Sequence, residues 1–114
     1  ADPKVGVSIA QRLIEDKDVL AVVGHWNSGV AIPSSEVYNQ GILAMVSPAN
    51  TATAVTDRGL PVVNRICARD DAQGPAGADF LFGMGMTTVF SIQDKTAYGQ
   101  RVADEFKKRF EALL

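Results

Sequence analysis

The sequence has 114 residues, of which 46% are apolar, and a formal net charge of −2. This length suffices for one compact core, and the acidic balance excludes the basic surface that nucleic acid requires. One histidine and one cysteine exclude a zinc site built from those ligands, and Cys67 has no partner for an internal disulfide. No apolar run approaches the roughly 20 residues that span a bilayer, and no signal peptide is recognisable at the N-terminus.

Apolar spacing in the first forty residues predicts a helix, a strand and a second helix. In DPKVGVSIAQRLIED the apolar residues recur every three or four positions, which predicts a helix over about 3–16, with Asp2 as cap and Pro3 at the first position. DVLAVVG is valine-rich and continuously apolar, which indicates a strand buried on both faces of a parallel sheet. A helix over 29–40 follows, and Gly41 is expected to end it in the left-handed conformation.

The remaining segments continue the alternation of strands and helices. ILAMVSP and LPVVNRI predict two more buried strands, separated by a threonine-rich loop with one short turn. DDAQGPAGADFLFGMG has an acidic cap pair and Pro75 in its expected first turn, which favours a helix. TTVFSIQD predicts a strand, and AYGQRVADEFKKRFEALL an amphipathic helix. The order is typical of a three-layer α/β/α fold with a parallel sheet.

Parallel sheets bind ligands at the carboxyl ends of their strands, which here means residues 24–29, 47–53 and 93–99. Ser28 lies where a helix start leaves amides unpaired, which suits a carboxylate; a plain N-cap serine is the alternative. The loop around Asn50 and Thr51 offers carbonyls and a hydroxyl for an ammonium group; the alternative is a solvated turn. Tyr98 can stack on a ligand or simply pack.

Several of these segments resemble one family. VVGHWNSGVAIPSSEVYNQGILAMVSPANTATAVTDRG, then NRI, AQGPAGADF and QDKTAYGQ, are similar to the leucine/isoleucine/valine-binding proteins, the periplasmic solute receptors of branched-chain amino acid ABC transporters. The resemblance covers essentially the whole chain and implies the middle portion of a longer receptor. It also implies the type I periplasmic-binding fold, with residues 1–66 in the first lobe and 67–114 forming the hinge crossing and the start of the second lobe.

The resemblance assigns roles to the polar residues. It implies that Ser28 and nearby amides bind a ligand carboxylate. It also implies that the amide of Thr51 joins them while its hydroxyl and the Asn50 carbonyl bind the α-ammonium. The acidic residue that completes the ammonium site would lie beyond Leu114. No cofactor or metal is expected, and the ligand is expected to be a branched-chain amino acid or a related small carboxylate.

The rest of the expected pocket is aromatic and differs from the family. Tyr98 would reach in from the second lobe, and Trp26, beside Asn27, would line the pocket for the ligand side chain. Trp26 stands where smaller aliphatic residues are common, so it either shortens the pocket or offers an aromatic face. Asn50 replaces a small residue and is expected to add polar bulk near the ammonium.

The resemblance further implies a periplasmic or extracytoplasmic location and an ABC transporter permease as partner. A sensory domain of the same fold is the main alternative. An enzyme is not expected, because a nucleophile elbow needs glycine where Trp26 stands and a dinucleotide fingerprint is missing. Asp94 alone does not make a response-regulator site. Uncovered edges and helix faces should make the isolated chain oligomerise or swap segments and bind ligand poorly, which sedimentation can test.

Overall fold

A computed structural model describes residues 2–114 as an elongated molecule of 55 × 23 × 18 Å. Its radius of gyration is 16.5 Å, against about 13 Å for a compact chain of this length. The secondary structure consists of α1 Pro3–Glu15, β1 Ala21–Val23, α2 Ser28–Gln40, β2 Ala44–Ser47, a 3₁₀ turn Thr53–Val55, β3 Val63–Arg65, α3 Asp70–Gly83 and α4 Ala97–Leu113. We call the elements from α1 to β3 the sheet unit, and α3, α4 and the segment between them the helix pair.

The three strands form one parallel sheet in the order β1-β2-β3. Ala21 lies opposite Ala44 in the first pair, and Met45 lies opposite Val63 in the second. The alternation of helices with parallel strands in the sheet unit follows the sequence prediction. The predicted cap of α1 is also confirmed, because the Asp2 carboxylate accepts from the amide of Lys4 at 2.8 Å.

The core of the sheet unit lies between the sheet and the helices α1 and α2. Its fully buried members include Ala10 of α1, Ala31 and Tyr38 of α2 and Met45 of β2. Burial of this apolar surface provides most of the driving force for folding of the unit. The predicted loop after β2 with one short turn is confirmed by the 3₁₀ turn.

The prediction that β1 is buried on both faces is wrong for the described residues. Val23 is 80% exposed and Ile66, on the same side of the sheet, is 78% exposed. β1 is an edge strand, and among residues 2–114 the core cluster covers only the opposite side of the sheet. An apolar strand is buried on both faces only where other elements of the protein pack against both of them.

The segment 87–94 has no regular secondary structure, contrary to the predicted strand. Phe90 and Ile92 are 88% and 86% exposed. A strand requires neighbouring backbone to complete its hydrogen-bond ladder, and no strand of residues 2–114 pairs with this segment.

Two predictions about helix positions are also wrong. Gly41 has a right-handed backbone conformation, and the left-handed residue that ends α2 is Ile42, with φ 56°. The amide of Leu43 donates to the carbonyl of Tyr38 at 2.9 Å, which closes the turn as a Schellman motif one residue later than predicted. Pro75 lies inside α3 rather than in its first turn, because the helix begins at Asp70.

The helix pair is held by a close seam between α3 and α4. A Cβ atom added to Gly74 would lie 2.7 Å from the backbone nitrogen of Phe106, so only glycine allows this approach. Phe106 stacks on Phe110, and Arg109 bonds the Asp79 carboxylate at 2.7 Å. These contacts place the start of α4 beside the strand ends of the sheet unit.

Candidate functional site

A cavity of about 670 Å³ lies between the strand ends of the sheet unit and the start of α4. Five of the six residues predicted for the site line it, namely Trp26, Asn27, Ser28, Thr51 and Tyr98. The sequence reasoning therefore selected three segments that are far apart in the chain and that the fold brings to one place.

Ser28 is almost completely buried at the start of α2. Its hydroxyl accepts a hydrogen bond from the Ala52 amide at 3.3 Å, which ties the loop after β1 to the loop after β2. The plain N-cap alternative is wrong, since the N-cap is Asn27, whose side chain makes no capping bond. The amides of Ser28 and Gly29 have no acceptor among residues 2–114, so the helix start presents unpaired donors at the cavity.

Thr51 presents a second set of free polar groups. Neither its amide nor its hydroxyl has a hydrogen-bond partner within the described part of the chain, although the hydroxyl is buried. Its carbonyl accepts from the amide of Asp70 at 2.9 Å, which connects the loop after β2 to the start of α3. The donors of Thr51 and the amides at the start of α2 therefore line the same cavity.

Asn50 is the predicted site residue that does not line the cavity. Its side chain is fully buried and its Oδ1 accepts from the His25 amide at 2.9 Å and the Ser47 hydroxyl at 2.7 Å. The polar bulk expected of its side chain lies outside the cavity lining, because the side-chain amide links the ends of β1 and β2. Its carbonyl, predicted as a ligand acceptor, already accepts from Arg65 at 3.1 Å.

Arg65, at the end of β3, braces the same loop and was not selected from the sequence. Its guanidinium donates to the carbonyls of Asn50 and Ala52, at 3.1 and 2.9 Å, and to the Thr56 hydroxyl at 2.6 Å. Charge-assisted bonds of this kind fix a loop more firmly than neutral ones. No spacing rule in the sequence indicates that an arginine at the end of the next strand holds this turn.

The two aromatic residues of the cavity come from different units of the fold. Trp26 is 83% exposed after β1, whereas Tyr98 belongs to the first turn of α4 and is 41% exposed. The Tyr98 hydroxyl accepts from the Gln73 side chain at 3.1 Å, which links α4 to α3. Gln73 also lines the cavity and was missed by the sequence reasoning.

Asp94 is a further cavity residue that the sequence reasoning set aside. Its carboxylate accepts from the Thr96 hydroxyl at 2.7 Å and the Thr96 amide at 3.0 Å. These bonds lower the pKa of Asp94 below its usual value, so the group is charged at neutral pH.

His25 faces the core rather than Ser28. Its Nε2 lies 3.1 Å from the Tyr38 hydroxyl, and the two rings are stacked. Burial lowers the pKa of His25, which favours the neutral ring. With His25 engaged by Tyr38 and the Ser28 hydroxyl by Ala52, the two do not form a nucleophile and base pair.

The described residues contain no grouping of three or more histidine, cysteine, aspartate or glutamate side chains placed to hold a metal ion. None of the helices within residues 2–114 combines the length and apolar character needed to cross a membrane.

Residues 1–113 match the family described as periplasmic binding protein. The chain belongs to this family. It is 41% identical over 114 residues to the Leu/Ile/Val-binding protein homolog 1 of Brucella abortus, covering 99% of this chain and 30% of that protein. It is 38% identical over 113 residues to an amino acid binding protein of Pseudomonas aeruginosa, covering 98% of this chain and 30% of that one.

Solved structures of periplasmic binding proteins show the same arrangement. An ABC transporter substrate-binding protein from Desulfitobacterium hafniense, in complex with Leu, is 31% identical with a TM-score of 0.85, over 99% of this chain and 34% of that one. The leucine-binding protein LivK from Thermotoga maritima is 28% identical with a TM-score of 0.92, over 99% and 33% respectively. The resemblance and the fold class predicted from sequence are confirmed, and the chain spans about a third of the length of these relatives.

Proposed function

We propose that this chain is the ligand-binding segment of an extracytoplasmic solute receptor that delivers an amino acid, or a related small carboxylate, to an ABC transporter. The observation that carries the proposal is the shared cavity in which the free amides of Ser28, Gly29 and Thr51 meet Tyr98 of α4. Relatives named as Leu/Ile/Val-binding proteins support the ligand class. Residues 1–66 would belong to the first lobe, and 67–114 to the hinge crossing and the start of the second.

The cavity suits the charged end of an amino acid. A carboxylate needs a few convergent donors, and the unpaired amides at the start of α2 are reinforced there by the positive end of the helix dipole. The Ser28 hydroxyl keeps its proton for the ligand, because in its bond to Ala52 it acts as the acceptor. The Thr51 hydroxyl would bind the α-ammonium, with an acidic partner expected beyond Leu114.

The side chain of the ligand would lie between Trp26 and Tyr98. Both residues line the cavity, Trp26 from the sheet unit and Tyr98 from the helix pair, so they can cover an aliphatic or aromatic side chain with apolar surface. Isolated from the rest of a receptor, the chain leaves Val23 and Ile66 uncovered, which supports the expectation that it oligomerises or swaps segments and binds ligand poorly.

The test uses a receptor-length chimera in which this chain replaces the matching third of the Desulfitobacterium hafniense receptor. Titration calorimetry with leucine should give binding that Ser28→Ala weakens about tenfold, because hydrogen bonds to charged groups contribute roughly 1.5–3 kcal/mol each. Ser8→Ala, on the exposed surface of α1, is the matched control and should leave the affinity unchanged. Equal affinity of the Ser28→Ala and unmodified chimeras would contradict the proposal.

A further inference from the structure

Asp70 is a buried carboxylate directly behind the cavity. It is the first residue of α3, is 0% exposed, and its amide donates to the Thr51 carbonyl at 2.9 Å. Neither carboxylate oxygen has a hydrogen-bond partner within residues 2–114. The buried Thr51 hydroxyl, on the cavity wall, also has none. The two residues are neighbours in space, and each carries an unsatisfied polar group. Such groups destabilise the fold when they are left unpaired, so their presence here calls for an explanation.

The backbone bond from Asp70 to Thr51 places an unpaired carboxylate and an unpaired hydroxyl on neighbouring residues. Burial raises the pKa of Asp70, and the Thr51 hydroxyl is the largest influence opposing the rise, ahead of the charges of Arg101 and Arg65. A hydrogen bond from this hydroxyl to the Asp70 carboxylate would satisfy both groups.

We propose that Asp70 is a positioning residue that accepts the hydrogen bond of the Thr51 hydroxyl and leaves only oxygen lone pairs of Thr51 facing the cavity. A hydroxyl has one donor and two acceptor positions, so a bond to Asp70 uses its only proton. Thr51 then accepts from a ligand and cannot donate to it. This inference rests on the proposed function and concerns how the same site recognises an ammonium group.

The consequence is selectivity for ligands that carry an amino group. An ammonium donates to the Thr51 oxygen, whereas a ligand with a methylene at that position leaves the oxygen unpaired. Without an acceptor at position 70 the hydroxyl turns freely, which weakens its bond to an ammonium and leaves the binding of the des-amino ligand nearly unchanged.

The experiment compares leucine with its des-amino analogue, 4-methylpentanoate, by calorimetry on the receptor-length chimera. Asp70→Ala should weaken leucine binding about tenfold while the affinity for 4-methylpentanoate changes less than about twofold. Asp70→Asn retains an acceptor and should restore most of the loss. Asp71→Ala, in the same turn but paired with Arg69 at the surface, is the control for lost charge and should alter neither affinity.

Equal weakening of both ligands by Asp70→Ala would mean that Asp70 only supports the structure, and would overturn the inference. A second measurement needs no ligand: in the 114-residue chain, the carboxyl carbon of Asp70 is titrated by NMR. Thr51→Val should raise the pKa of Asp70 further, whereas Thr53→Val should not. If the chimera binds neither ligand but this shift is observed, the proposed function fails and the Asp70–Thr51 bond stands; an unchanged pKa overturns the bond itself.

Discussion

The two walls of the cavity are built differently. The wall from the sheet unit is held by buried polar bonds: Ser28 to Ala52, Asn50 to the ends of β1 and β2, and Arg65 to the loop carbonyls. The wall from the helix pair consists of exposed groups such as Tyr98 and Asp94, supported by surface hydrogen bonds. The first wall is thus fixed before any ligand arrives, and the second depends on the seam between α3 and α4.

This difference indicates where binding free energy is set. Donors that are already oriented lose little conformational entropy when they meet a ligand, so the sheet unit should fix the position of the charged end. The helix pair contributes surface that can move with α4 and cover the ligand. A substitution that loosens one wall should therefore leave the structure of the other wall unchanged, and this independence can be tested.

The largest effect is expected from Asn50→Leu. The change removes the acceptor of the His25 amide and the Ser47 hydroxyl, two groups at the ends of neighbouring strands. Leaving them unsatisfied should lower the free energy of unfolding by about 3 kcal/mol. Urea denaturation measures the loss, and hydrogen exchange should show it in β1 and β2 with little change in the helix pair.

Asn64→Leu is the matched control for that change, because Asn64 is exposed on β3 and makes no side-chain bond among the described residues. It should alter stability by less than about 0.5 kcal/mol. If the two variants unfold at the same urea concentration, the buried bonds of Asn50 do not hold the sheet-unit wall.

A smaller effect, confined to the other wall, is expected from Gly74→Ala. The added Cβ would lie 2.7 Å from the Phe106 nitrogen and 2.9 Å from the Val102 carbonyl oxygen. Both are backbone atoms and cannot turn aside, so α3 and α4 must separate, at a cost of about 2 kcal/mol. The measurement is again urea denaturation, with near-ultraviolet circular dichroism to follow the packing of the aromatic side chains.

Gly83→Ala provides the comparison within the same helix. A Cβ there meets nothing within 4 Å, and alanine is the better helix former, so stability should stay the same or rise slightly. If both substitutions destabilise the protein equally, the cost of alanine in α3 does not come from the close contact between α3 and α4.

The sequence predicted the parts of the fold that depend on local pattern. The helices and the three paired strands follow from apolar periodicity, and the strand-end rule located the residues that line the cavity. It could not predict whether 87–94 becomes a strand, because pairing depends on neighbours that a local pattern does not contain. The exposure of Val23 has the same cause.

The site residues divide in the same way, into those that a local pattern predicts and those that it does not. Ser28 and Thr51 could be selected because strand ends and helix starts have fixed chemistry. Arg65, Asp70 and Gln73 could not, because their importance comes from contacts with residues 9 to 25 positions away. The direction of the Asn50 side chain could not be predicted either, since nothing in the sequence says which way a loop residue points.

The smallest expected effect concerns the end of α2, where glycine was predicted one position too early. Ile42 holds a left-handed conformation, with φ 56°, that is unfavourable for a β-branched residue, and its side chain is 82% exposed. Ile42→Gly should therefore raise the free energy of unfolding by up to about 1 kcal/mol, measured by thermal unfolding. Ile66→Gly is the control: that residue is similarly exposed but has no positive φ, so glycine there should destabilise. The left-handed turn positions β2, and β2 leads into the Thr51 loop. If Ile42→Gly raises stability without any change at the cavity, the sheet-unit wall is set by its buried polar bonds rather than by this turn.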